Sequence, residues 1–226
     1  MRGPLTALLA SLLLAVGVPL GWWATRPATD VGAAVTSIGQ PSTPPVASLS
    51  SAPVLPANEV PPSMEVLPSP PVPLNTGAVP VRLEIPAIRV DAPVVPVGVE
   101  PDGSMTVPPQ ANAVGWYRFG PRPGDGEGAA VLAGHVDARS QGAGALFRLR
   151  ELGVGAQAVV RRSDGTPVRY RVVGRQEVVK RQLPLGRLFA RDGSPRLVLI
   201  TCGGPFLADV GSYRDNVVVV AVPEGP

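Results

Sequence analysis

From Val81 onward the chain consists of short β-branched runs separated by turn residues, which limits it to an architecture built mainly from strands. The pattern predicts strands at Val81–Ile85, Val94–Val99, Ala129–Ala133, Ala156–Arg162, Val168–Gly174, Gln176–Arg181, Leu197–Thr201 and Asn216–Val222. Asp164-Gly165 falls between two of these, a hairpin signal. Only Ala145–Leu152 and Leu185–Ala190 read as short helices. Many short strands with few helices favour a closed barrel or a sandwich, because closure removes exposed edges.

Prolines and small polar residues concentrate before about residue 80, so one folded domain is expected over residues 81–226. A domain of that size buries roughly 70% of its unfolded surface and needs neither disulfide nor structural metal. Cys202 is the only cysteine, which rules out an internal bridge. Residues 27–80, rich in Pro, Ser, Ala, Val and Thr, read as a disordered linker with an end-to-end distance of about 40 Å as a coil.

Leu5–Ala24 is an uncharged apolar run of 20 residues, which as a helix spans roughly 30 Å, one bilayer core. Gly17, Pro19 and Gly21 are tolerated in membrane helices, and Trp22 and Trp23 lie where an interfacial belt belongs. A cleaved secretion signal is the other reading, but its apolar core is usually about 7 to 15 residues and no clear A-x-A site follows Trp23. Residues 1–26 are therefore expected to be an uncleaved N-terminal membrane anchor. Either reading implies export, and an anchor implies a single-pass protein of the cell membrane with its domain outside.

The charge of +3 and the pI near 9.6 come almost entirely from arginine, since Lys180 is the sole lysine. No glycine-rich loop leads into Lys180, so a phosphate-binding P-loop is absent. One Cys and one His do not make an ordinary zinc site, and no metal or cofactor is expected. Scattered arginines and only 4% aromatics argue against nucleic-acid binding.

His135, in LAGHVD, follows the apolar run Ala129–Ala133, and Cys202, in VLITCGG, follows Leu197–Thr201. Both reactive groups should emerge at the ends of buried strands, where a rigid scaffold can hold a side chain against a substrate. Gly203 and Gly204 free the backbone after the cysteine, and Arg214, in SYRDNVVVV, stands at the entry to the last strand. Taken singly, each of the three is as readily an ordinary structural residue.

Together these segments resemble the sortase family, transpeptidases that attach proteins to Gram-positive cell walls. The T-L-x-T-C motif of the family is matched by Val198-Leu199-Ile200-Thr201-Cys202, with Val198 where Thr is usual. Its histidine loop is matched by Ala133-Gly134-His135-Val136-Asp137 and its arginine by Arg214, in the same chain order. The segments look most like class F sortases, with class E next.

The resemblance implies an eight-stranded sortase-type barrel carrying a groove around the strand ends of Cys202 and Arg214. It also implies that Cys202 attacks a Thr-Gly bond in an LPxTG-like sorting signal, that His135 protonates the leaving amine, and that Arg214 steadies the oxyanion or the peptide. The partners implied are surface proteins bearing the signal and an amine of a peptidoglycan precursor or other acceptor. A thiol of ordinary pKa is only about 3% ionised at pH 7, so such a nucleophile needs a cation or base beside it, and His135 can be either. Asp137 can orient the imidazole or stabilise its own turn, and Thr201 can fix the cysteine loop or be a plain strand residue.

An L,D-transpeptidase would carry an S-H-G-C motif, which is absent, and a papain-like peptidase places Cys before His, the reverse of the order here. The alternative from another class is a non-catalytic exported β-barrel that binds peptide or wall polymer.

Overall fold

The structure, a computed structural model, describes residues 30–34, 37 and 77–225. The anchor expected over residues 1–26 and most of the linker expected over 27–80 lie outside the described residues. In chain order the strands are β1 (Val31–Gly32), β2 (Pro80–Ile85), β3 (Val90–Val97), β4 (Val114–Tyr117), β5 (Ala129–Gly134), β6 (Asp137–Ala138), β7 (Gly142–Ala143), β8 (Gln157–Arg162), β9 (Pro167–Val179), β10 (Arg196–Leu207) and β11 (Ser212–Pro223). One short helix, α1 (Leu185–Leu188), precedes β10.

Eight strands close into a barrel in the order β9-β11-β10-β5-β4-β3-β2-β8, with β8 pairing back to β9. The pairs β3–β4 and β5–β10 are parallel and the rest of the wall is antiparallel. Strands β6 and β7 form a separate two-stranded ribbon. The closed all-β barrel with few helices is the fold that the strand pattern and the motifs imply.

Alternation along β10 and β11 places their side chains in two different clusters. Leu197, Leu199, Val217 and Val219 belong to the barrel interior, whereas Val198, Val218 and Val220 belong to a second cluster on the outer face, joined there by Leu188 of α1. Both faces of the two strands are buried, so they read as continuous apolar runs rather than as alternating ones.

Three elements differ from the sequence reading. The strands expected at Val168–Gly174 and Gln176–Arg181 are one strand, because Gly174 marks a bulge and not a turn: Val220 pairs with Gly174 and Ala221 with Val172, which skips Val173. β4 was not anticipated, since its sequence, VGWY, lacks a β-branched alternation and owes its place to the flanking β3 and β5. Ala145–Leu152 is no α-helix. Leu146, Leu149 and Leu152 are fully buried at a spacing of three, the repeat of a 3-10 turn, which forms at Leu149–Glu151.

Within the stretch read as linker, residues 30–34 lie against the barrel. β8 accompanies β9 only as far as Arg171, and β1 takes the edge beyond it, pairing Val31 with Arg175 and Gly32 with Gly174. Ala33 N donates to Val173 O at 3.0 Å, and Glu177 N donates to Asp30 Oδ1 at 2.9 Å. This short piece covers an edge that would otherwise be open.

Candidate active site

The parallel ladder between β5 and β10 ends with Ile200 beside Ala133, so Thr201 and Gly134 come next on the two chains, followed by Cys202 and His135. Thr201 is buried, and its hydroxyl donates to Gly134 O at 2.8 Å. On the other flank Cys202 pairs with Asn216 of β11. Opposed residues share a face and side chains alternate along a strand, so Cys202, Asn216 and Arg214 lie on the outer face with Val198 and Val218. The three residues singled out in the sequence thus lie at the same end of β5, β10 and β11, with His135 just past β5, Cys202 in β10 and Arg214 in β11, and the Arg214 guanidinium is turned toward Asp215.

Cys202 and His135 are half-buried, and Arg214 is exposed. His135 follows β5 directly, as expected. Cys202 does not sit at a strand end: β10 continues to Leu207, and the β10–β11 hairpin turns only after that. Gly203 and Gly204 make a bulge in place of a turn, with the register shifting between Gly203 and Phe206 and Gly204 at φ +69°.

The imidazole Nε2 lies 2.8 Å from Pro108 O. A carbonyl only accepts, so Nε2 carries a proton. The loop supplying Pro108 is pinned to the histidine loop by Gln141, whose Oε1 accepts from Ala111 N at 2.8 Å and whose Nε2 donates to Pro109 O at 3.0 Å. Asp137 Oδ2 accepts from Tyr213 Oη at 2.6 Å. That bond ties the histidine loop to β11. It also holds the Tyr213 phenol above its ordinary pKa range, with burial and the Cys202 charge adding to the effect.

Arg214 donates from Nε and Nη2 to the two carboxylate oxygens of Asp215, both at 2.7 Å. Asp215 is buried, and Glu177 stands near it on the neighbouring β9, opposite Val217. Pro108, Gln141, Glu177, Tyr213 and Asp215 were not singled out in the sequence. The only signals were positional: Tyr213 and Asp215 flank Arg214, while Pro108, Gln141 and Glu177 become neighbours through the fold alone.

A family model described as the sortase domain matches residues 83–224. Among curated proteins none matches the sequence. Among solved structures, sortase C1 of the GBS (group B Streptococcus) pilus island 1 superposes with a TM-score of 0.50 at 20% identity, covering 65% of this chain and 65% of that one. The complex of Streptococcus agalactiae sortase C1 with MTSET gives 0.50 at 21% identity, covering 65% of this chain and 67% of that one. The pilus-related sortase C of group B Streptococcus gives 0.50 at 14% identity, with 65% and 68% covered. The chain thus spans about two thirds of the length of these structures, and at such identities the likeness is one of fold. With the family model spanning nearly the whole barrel, from β2 into the residues after β11, the chain belongs to the sortase family.

Proposed function

We propose that the chain is a cysteine transpeptidase whose catalytic domain, residues 81–226, cleaves an LPxTG-like sorting signal and passes the acyl group to an amine. The observation that supports this reading is the register of β5, β10 and β11, in which the Thr201–Gly134 bond fastens the residues before Cys202 and His135 and Cys202 stands opposite Asn216, two residues from Arg214. The Cys202 thiolate attacks the threonine carbonyl and the Arg214 N–H groups take up the developing oxyanion. The C–N bond then breaks as His135 gives its proton to the leaving amine, and a thioester remains. With Nε2–H engaged by Pro108, Nδ1 is the nitrogen left to exchange that proton. An incoming amine attacks the thioester, returns its proton to the imidazole and releases the thiolate.

The acceptor we assign is an amine of a cell-wall precursor, and the donors are surface proteins carrying the signal. The apolar run Leu5–Ala24 supports a single-pass location in the cell membrane with the domain outside, and LAGHVD, ITCGG and YRDNVVV support class F ahead of class E.

Mass analysis of the full-length protein after incubation with a Leu-Pro-Ala-Thr-Gly peptide tests this reading. An acyl adduct on Cys202 that hydroxylamine removes is the expected result. Cleavage that persists in Cys202→Ala would show another nucleophile, and tight binding without any adduct would leave a binding barrel.

A further inference from the structure

Arg214 is half exposed, with 52% of its side-chain surface accessible, yet its guanidinium is held on two points by a carboxylate only 3% accessible. Asp215 lies under the bulge of β10, where Gly204 has no Cβ; one placed there would overlap the Asp215 carboxylate. The space exists because the bulge carries glycine. Behind Asp215 stands Glu177, two residues along β9 from Val179, the partner of Asp215. Two carboxyl groups placed so near each other do not both ionise readily. Burial first, then Asp215, pushes the Glu177 carboxyl up, whereas the Arg214 bond holds Asp215 down, so of the two Glu177 is the one that takes up a proton more readily. The other charges acting on Glu177 are those of Arg214 and of Asp30, which also accepts from the Glu177 amide.

A guanidinium has five N–H donors. Asp215 uses the one on Nε and one on Nη2, which leaves three N–H groups for a peptide. A free arginine side chain samples many rotamers, whereas one clamped in a fork presents those donors in a fixed direction without paying for their ordering in each turnover.

We propose that Asp215 and Glu177 are positioning residues for the reaction, a two-carboxyl support in which Glu177 braces Asp215 and Asp215 aims Arg214 at the substrate. The inference rests on the proposed role of Arg214. Two measurements on the full-length protein separate the failure of one from the failure of the other.

The first is turnover of the Leu-Pro-Ala-Thr-Gly peptide with hydroxylamine as acceptor. Asp215→Asn should lose about tenfold to a hundredfold, mainly in kcat. Glu177→Ala should lose about tenfold, and Glu177→Gln, which supplies a neutral donor, should recover most of that loss. Asp215→Asn within twofold of wild type, or Glu177→Gln no better than Glu177→Ala, overturns the proposal. The second needs no turnover: the Arg214 Nε–H resonance should be slow to exchange in wild type and Glu177→Gln and fast in Asp215→Asn. Fast exchange in wild type overturns the support, whatever the peptide does. A protected resonance together with full turnover in Arg214→Ala leaves the clamp standing but removes the role of Arg214, and with it the proposal.

Discussion

The Thr201 hydroxyl donates to the Gly134 carbonyl at 2.8 Å, joining the residue before Cys202 to the residue before His135. The bond is buried and crosses between two parallel strands, so it sets how far the sulfur and the imidazole can drift apart. Thr201→Val keeps the branched shape and removes the donor. The cost should be about 1–2 kcal/mol, read as a Tm lower by roughly 2–8 °C. Turnover should fall further than this loss of stability accounts for when it is assayed well below the new Tm. An unchanged Tm would show that the carbonyl is satisfied without the hydroxyl.

The Tyr213–Asp137 bond links β11 to the ribbon that follows His135, and Phe206 packs edge-on against the same tyrosine with ring centroids 5.3 Å apart. Tyr213→Phe keeps the ring contact and releases Asp137. Because the bond is largely exposed, stability should change by less than about 1 kcal/mol, while KM for the peptide should rise a few-fold as the histidine loop loosens. Steady-state kinetics beside a thermal melt checks both, and a fall in kcat at constant KM would place Tyr213 in the chemistry instead.

What the sequence disclosed follows from what each residue needs from distant ones. The motifs around His135, Cys202 and Arg214 stand out in the sequence because they are local and adjoin strands that are apolar on both faces. Eight strands were expected and eight close the barrel, but the agreement hides two offsetting errors. β9 was read as two strands because a bulge at Gly174 resembles a turn in one dimension, and β4 was overlooked because VGWY acquires its strand character from neighbours. The glycines after Cys202 were read as a turn for the same reason. Whether a glycine ends a ladder or skips a residue depends on the partner strand, and here β11 continues the pairing to Leu207. The supports of the site were out of reach: Pro108 meets His135 across 27 positions and Asp137 meets Tyr213 across 76.

Gly204 has φ +69° and stands over the Asp215 carboxylate, so Gly204→Ala meets strain in the backbone and overlap beyond it. It should lower stability by about 1–3 kcal/mol and reduce turnover, since the displaced carboxylate is the one that holds Arg214. Gly186 in α1 is the control: a Cβ there meets nothing within 4 Å, so Gly186→Ala should leave the Tm unchanged or slightly higher. Equal effects from the two substitutions, by melt and by turnover, would refute the tightness of the bulge.

Glu177 and Asp215 give opposite pH dependences to stability. The Glu177 carboxyl is raised above its ordinary 4.5, mainly by burial, so the folded chain holds that proton more tightly than the unfolded chain does. Its contribution is full below about pH 4.5 and is lost as pH rises through the raised value. Asp215 is held below its ordinary 3.8, mainly by the Arg214 bond, so its contribution is present above about pH 4 and is lost as pH falls through the depressed value. Glu177→Gln removes only the first dependence. Relative to wild type its Tm should therefore gain as pH rises from about 4.5 through the raised value of Glu177 and level off above it, whereas Asp215→Asn should flatten the acid limb. Melting curves across that range decide the matter: a Tm difference between Glu177→Gln and wild type that stays constant with pH would mean that Glu177 does not change protonation on unfolding, and the tighter hold on its proton in the folded chain would have to be given up.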